Sequence, residues 1–462
     1  MTQAGVGGSA EIEQSFNSRD DDATIDQQAG TVTNSATIIQ TGDGAGGGTD
    51  TANAATITQT GGFNNESLII QGDKLLLDGT VGDATNAKAT SEQSGDNQFS
   101  RIVQGGDNQS AEVVQSGDTN QSRVLQGVTG GSDNKADILQ NGSGNTSTAT
   151  QSGTLGVIVV NQLSDDSTSS VTQTGEGAFA QVDQSGTNQM STISQSSPAR
   201  PFGPTYVAGA FVSQSGADNV SDINQTGDHE WFLLVTDPLS SPSALVVQDG
   251  VGNTVDADQV GGSNLAFFEQ TGDRNVANSL QGGTNNYLIS FQIGDMNTIN
   301  SNLSSSTLNN TNSSVTNTQT GNGNNSNIIQ DGIFDEGGIV STLTVTQTGN
   351  DNTSGVTQSG TNDLAFIDQI GNTNRSTVLQ NAGGVSNEVD VNQNGSDGIS
   401  EMTQSGTDNF AELLQSGTFN ESYITQNGQT NNASVSQGGI GDISVVSQTG
   451  NGNMATVMQN VP

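Results

Sequence analysis

The sequence predicts an all-β fold: a β-solenoid of stacked strand–turn–strand rungs, about 22 residues per rung, with two facing parallel sheets and an amyloid-like backbone. Three observations predict it. Glutamines recur eleven residues apart along almost the whole chain. Between them the residue pattern alternates with a period of two. The 462 residues are only 30% hydrophobic and 4% aromatic and include 61 glycines. That is too little apolar surface for one large core, but a regular repeat can reuse one small packing unit many times.

The repeat justifies the strand. Taking the glutamine as position 0, the phrase is Gln(0)-x-Gly(2)-x-x-Asn(5)-x-Ala/Ser(7)-x-Val/Ile/Leu(9)-x-Gln(11). Segments 448–459 (QTGNGNMATVMQ) and 319–330 (QTGNGNNSNIIQ) fit every position. Close variants are 115–126, 214–225, 270–281 and 369–380. The spacing is unbroken from Gln93 to Gln126, Gln140 to Gln195, Gln248 to Gln292 and Gln393 to Gln459. About 36 such segments lie between Gln3 and Gln459. Leu303 stands where a glutamine is expected. Positions 5, 7, 9 and 11 share one side, and 6, 8 and 10 point the other way, which reads as a strand of about six or seven residues. Outward residues include Arg101, Glu112, Arg123, Asp222 and Glu412.

The turn follows. In x-Gly-x-x the glycine supplies a positive φ. Helix is disfavoured by the abundance of Gly, Thr, Ser and Asn and by the lack of a 3.6-residue period. Two arcs facing each other make one rung, and position 9 of both arcs fills the apolar core. Buried amides at positions 5 and 11 are satisfied only if every rung supplies one, so they stack as ladders at about 4.8 Å. The ladder residues expected on this basis are Gln93, Gln104, Gln115, Gln126, Gln270, Gln281, Gln369 and Gln380. In the last repeats they are Gln404, Gly406, Asn409, Ala411, Leu413 and Gln415, then Gly417, Asn420, Ile424 and Gln426, then Gln448, Gly450, Asn453, Ala455, Val457 and Gln459. The chain reads as one continuous solenoid over 1–462, about 18 rungs and roughly 85 Å long.

Longer segments interrupt the spacing near 41–53, 72–82, 127–132, 196–207, 226–241, 304–312 and 331–338, and after Gln380. An even number of arcs separates successive insertions after Gln126, so they are expected to leave from one edge, as insertions in solenoids do. Two of them, 196–211 and 229–247, hold Tyr206, Phe211, Trp231, Phe232 and the single histidine, His229. These rings are expected to shield the solenoid edge, with a ligand surface as the alternative.

Charge and composition exclude much. There are 48 acids against 9 Lys and Arg, a net charge of −39. Nucleic acid and anionic membrane surfaces would be repelled. With one histidine and no cysteine, the sequence offers no catalytic constellation, no cofactor site and no zinc site. The scattered acids read as solvated charge. Recurrent Gly-Asp pairs, such as Gly95-Asp96 and Gly272-Asp273, read as turns, because the nine-residue calcium-roll phrase is absent. No apolar run is long enough to span a membrane, so membrane insertion is not expected. The opening MTQAGVGGSAE has no apolar segment, and Met1 is expected to open the mature form.

The tandem phrase Q-x-G-x-x-N-x-A-x-x-x-Q resembles the repeat of curlins, the subunits of bacterial curli fibres. Gln404, Gly406, Asn409, Ala411 and Gln415 match it position by position, as do Gln448, Gly450, Asn453, Ala455 and Gln459. This chain would be an unusually long, many-repeat member, and its long insertions and the arcs without Asn at position 5 (151–162, 162–173 and 173–184) depart from the pattern. The resemblance implies a secreted subunit of an extracellular functional amyloid that supports biofilm matrix and surface adhesion. It also brings a nucleating subunit and a secretion channel as candidate partners. The outermost arcs keep the ladder residues Gln3, Ile12 and Gln14 at one end and Asn453, Val457 and Gln459 at the other. Head-to-tail stacking of copies into a homopolymer is the expected assembly. The alternative is a monomeric solenoid adhesin or stalk that binds a ligand through its edge loops. An ice-binding version is weak, because Thr174, Thr226, Thr271, Thr320, Thr348 and Thr449 fall at turns.

Overall fold

The computed structural model describes the chain except residues 1, 4–5, 15–20, 42–51, 73–74, 77–78, 81–83, 128–130, 197–208, 228–243, 263, 304–312, 332–340 and 461–462. It forms two compact units, Met1–Pro242 and Ser243–Pro462, built on one plan. Among the described residues every regular element is a strand. The repeat strands alternate between two parallel sheets, so each pairs with the repeat strand one full rung away. In the first unit one sheet runs from Thr2–Gln3 and Asp22–Gln27 to Gly209–Ala217, and the other from Ser9–Gln14 to Val220–Thr226. In the second unit the sheets run from Ala244–Val251 to Met454–Gln459 and from Thr254–Gly262 to Ile443–Asn451. This is the stacked-rung solenoid.

Register follows the repeat without slippage. Gln393 pairs with Gln415 and Gln415 with Gln437, while Val391, Leu413 and Val435 line up beside them. A slip by one residue would turn every amide outward, so the buried pattern pins the register. Apart from a few two-residue strands such as Thr2–Gln3, the strands run from six residues, as in Phe99–Gln104, to nine, as in Phe410–Thr418. They exceed the expected length because Gln-x-Gly-x also pairs with the next rung. Inward residues are buried: Ser67, Ile69 and Gln71, for example, are almost completely covered. Each fully buried Val or Ile stabilises its rung by about 1.5–3 kcal/mol.

Three expectations need correction. First, position 9 is not always the apolar one. In neighbouring arcs it is Ser290, Ser301 and Asn317, all buried, and the bulk has moved to position 7 as Leu288, Ile299 and Val315. Those two inward positions are adjacent on one face, so exchanging large for small conserves volume. Secondly, not all outward residues are solvated. Ile39, Ile70 and Val103 are buried and packed with Leu68 and Leu125. Thirdly, the turn is left-handed twice. Besides Gly(2), position 4 has positive φ whatever its type: Asn97, Thr119, Leu155, Arg274, Phe419.

The inserted segments fall largely on residues outside those described. The strands that flank them are placed: Ser35–Gln40, Gln121–Gln126, Met190–Ser196, Thr298–Leu303 and Asn325–Gln330 all precede an insertion, and all lie in the second sheet of their unit. Within 72–82, Leu75–Leu76 pairs antiparallel with Gly79–Thr80. His229, Tyr206, Trp231 and Phe232 lie outside the described residues. Phe211 is described, half-buried on strand Gly209–Ala217 beside Gln181.

Candidate functional site

The repeat leaves one kind of surface that internal rungs do not satisfy, the outermost strand edges. Their chemistry is set by three ladders. In the glutamine ladder, each side-chain amide donates along the stack to the next rung. Gln404 Nε2 donates to Gln426 Oε1 at 2.9 Å, and Gln426 Nε2 to Gln448 Oε1 at 2.9 Å. Gln93 donates to Gln115 (3.0 Å), Gln104 to Gln126 (2.9 Å), and Gln115 to Gln140 (2.8 Å). Gln126 donates to Gln151, Gln270 to Gln292, Gln369 to Gln393, and Gln380 to Gln404. Gln281 accepts from Gln259 at 2.7 Å, and beyond it the ladder meets buried Leu303. The second N–H crosses the core: Gln415 Nε2 donates to the Ile399 carbonyl of the facing sheet at 3.1 Å. One side chain thus ties rung to rung and sheet to sheet.

In the asparagine ladder, Oδ1 accepts the backbone N–H of the next asparagine, and Nδ2 donates to the turn-glycine carbonyl of the next rung. Asn431 N donates to Asn409 Oδ1 at 3.1 Å, and Asn409 Nδ2 donates to Gly428 O at 3.1 Å. Asn420 serves the other corner through Gly439 O. Where position 5 is Ser167, its N–H still donates to Asn145 Oδ1, so the break costs only the side-chain half of the link. Beside these ladders Ala411, Leu413 and Ile424 are buried in the core.

The glycines permit the close stacking. A Cβ on Gly406 would lie 2.0 Å from Gly428 O, and one on Gly417 would lie 2.1 Å from Gly439 O. The third ladder is at position 3 and was not foreseen. Asp273 N donates to Asp295 Oδ1 at 2.9 Å, Asp295 N to Asn322 Oδ1, and Asn322 N to Asn350 Oδ1. The signal was present as the recurring Gly-Asp pairs. Their carboxylates hold the turn of the preceding rung, which gives those pairs a role without an ion. Among the described residues no group of three or more His, Cys, Asp or Glu is placed to hold a metal, and no helix is long and apolar enough to cross a membrane.

The glutamine donors run one way along each stack, from each rung to the next, so its first and last strands differ. At the edge formed by Ile443–Asn451 and Met454–Gln459, Gln459 accepts from Gln437 at 2.9 Å, and its Nε2 donates only to Ile443 O at 3.0 Å. Gln448 likewise donates only to Asn432 O. Asn453, Ala455 and Val457 are half-buried there, whereas their counterparts Asn431, Ala433 and Val435 are buried. A Cβ on Gly450 would meet nothing nearer than Asn453 Nδ2 at 3.7 Å. At the start of the first unit, Ser9–Gln14 pairs on one side only, with Ser35–Gln40. Ile12 is half-buried, and Gln14 is exposed. Gln14 Nε2 donates inward to Gln40 Oε1 at 2.8 Å.

Compared with known families, residues 250–278, 341–371 and 406–439 match the model of the curlin associated repeat. All three matched stretches lie in the second unit. A comparison with curated proteins gives no match.

Proposed function

Because the chain is a curlin-family repeat protein, we propose that it is the structural subunit of an extracellular curli-like amyloid fibre, and that copies add end to end through their ladder-bearing terminal rungs. The three curlin-repeat matches support a curli-type structural subunit. The observation that carries the finer reading is the polarity of the ladders. One edge ends in unused donors and unpaired strand backbone, and the other begins with a strand paired on one side. A second copy brings Gln14 and Gln27 to continue the glutamine ladder, which an open parallel edge favours. Support of a biofilm matrix and of surface adhesion follows from fibres displayed outside the cell. A nucleating subunit and a secretion channel are the partners such a fibre requires.

The test is Val457→Lys. Val457 faces inward on the outermost strand and is half-buried in the single molecule, so the variant should fold. In a stack it would bury an unpaired charge. We expect wild-type-like circular dichroism with at least a tenfold fall in filament mass, measured by sedimentation and negative-stain microscopy. Wild-type filament yield from this variant would refute end-to-end addition through this strand.

A further inference from the structure

The chain places Met454–Gln459 half a rung beyond Ile443–Asn451, and Thr2–Gln3 half a rung before Ser9–Gln14. Two half-rungs compete for one level when copies stack. If Ser9–Gln14 of a second copy lands directly on Ile443–Asn451, its Asp22–Gln27 lands directly on Met454–Gln459. That place is held by its own Thr2–Gln3. If Thr2–Gln3 instead stays and sits on Met454–Gln459, the second sheet is left with a gap one strand wide, and two rows of backbone amides go unpaired.

The side chains decide between these arrangements. Gln27 is fully buried. Its Nε2 donates to Ser9 O at 3.0 Å, Asn34 O at 3.2 Å and Gln59 Oε1 at 2.9 Å. Its Oε1 has no hydrogen-bond partner, although Gln3 stands in register beside it. In the ladder described above that oxygen accepts from the glutamine one rung earlier. Among the described residues only Thr2 and Gln3 pair with this strand on that side, opposite Asp26 and Gln27. Gln459 carries the matching ladder donor, and Met454–Gln459 is long enough to cover all of Asp22–Gln27.

The geometry points to strand exchange at the fibre junction: Met454–Gln459 of one copy displaces Thr2–Gln3 of the next and pairs along Asp22–Gln27, with Gln459 Nε2 donating to Gln27 Oε1. This rests on the fibre reading above and adds its register. Thr2–Gln3 is then a placeholder that blunts the edge of the free molecule and yields to a full-length strand. In this register Met458 lies beside Asp26, Val457 beside Ile25 and Ala455 beside Ala23. In the retained register Met458 lies beside Thr2.

Both pairs face outward, and the chain has no cysteine of its own, so disulfide trapping separates the two arrangements. Neighbouring parallel strands bring Cα atoms within the roughly 4.4–6.8 Å a disulfide needs. Full-length Met458→Cys/Asp26→Cys and Met458→Cys/Thr2→Cys would be assembled, oxidised and run on non-reducing gels. We expect the Asp26 pair to give a ladder of covalent multimers at least tenfold stronger than the Thr2 pair. Multimers from the Thr2 pair alone, or from neither pair in preparations that microscopy shows to be filamentous, would overturn strand exchange while leaving the fibre reading intact. Absence of filaments from the wild-type chain would instead remove the fibre reading and this inference with it.

Discussion

A buried carboxamide is costly unless its carbonyl and both N–H groups find partners. Gln404 shows how the repeat meets that demand: it accepts from Gln380, donates to Gln426 and donates to the Glu388 carbonyl of the facing sheet at 2.8 Å. The same rule exposes a fully buried residue that breaks it with a charge. Asp363 takes the place of asparagine at position 5 and is fully buried. Its Oδ1 accepts from the backbone N–H and side-chain Nδ2 of Asn387. Burial pushes its pKa up to about 6, against hydrogen bonds from Asn387 and Gly360 that lower it. The folded state therefore holds this proton more tightly than the unfolded chain does. No penalty applies below the ordinary value of 3.8. It grows as pH rises through the window between 3.8 and about 6 and is complete above it. A shift of that size corresponds to about 3 kcal/mol. Asp363→Asn should restore the Nδ2 donor and raise unfolding free energy at pH 7.5 by about 2–3 kcal/mol, with little gain at pH 4. Equal gains at both pH values, read from denaturant melts, would contradict the assignment.

At the scale of the element, the arc is a strand whose turn is under conformational constraint at two points. Gly417 has a φ of 100° and faces the Gly439 carbonyl of the next rung. Gly417→Ala should cost at least about 2 kcal/mol, because the added Cβ meets backbone that cannot swing away. A melt unchanged within error would show that the rungs are looser than described. The strand, its face and the glycine turn were legible because each depends on the period within one arc, and that period repeats. The left-handed conformation at position 4 was not legible, since residues as different as Leu155, Arg274 and Phe419 adopt it. There the neighbouring rungs dictate φ, and the side chain carries no mark of it. The exchange of bulk between positions 7 and 9 around Leu288 and Ser290 was hidden for a related reason: inward volume is conserved by pairs of positions, whereas the phrase is read one position at a time. The edge asymmetry was half legible. Ladder residues at Gln3 and Gln459 could be seen in the sequence, but the unpartnered oxygen of Gln27 could not.

At the scale of the whole molecule, the proposed fibre would use the ladders for assembly and the charge for spacing. A net charge of −39 would keep such fibres apart at neutral pH. The outward acids do not titrate alike. Burial raises the pKa of Asp368, and burial with the charges of Glu412 and Asp368 raises that of Asp390. On lowering pH these carboxylates take up protons before ordinary ones do, and the face that carries them loses its repulsion first. Light scattering should therefore rise as pH falls from 7 toward 4, and high salt at pH 7 should reproduce part of the rise. Scattering that stays flat over that interval would mean that carboxylate repulsion does not control lateral association. The claim beneath all of this is that a polar chain of repeats is a fibre subunit because its end rungs are unfinished. The most direct measurement is negative-stain microscopy, with fibre diffraction, of denaturant-released protein diluted into buffer and followed for a day. The account predicts unbranched filaments with an axial spacing of about 4.8 Å. Single particles that persist at every concentration, with no such reflection, would contradict it.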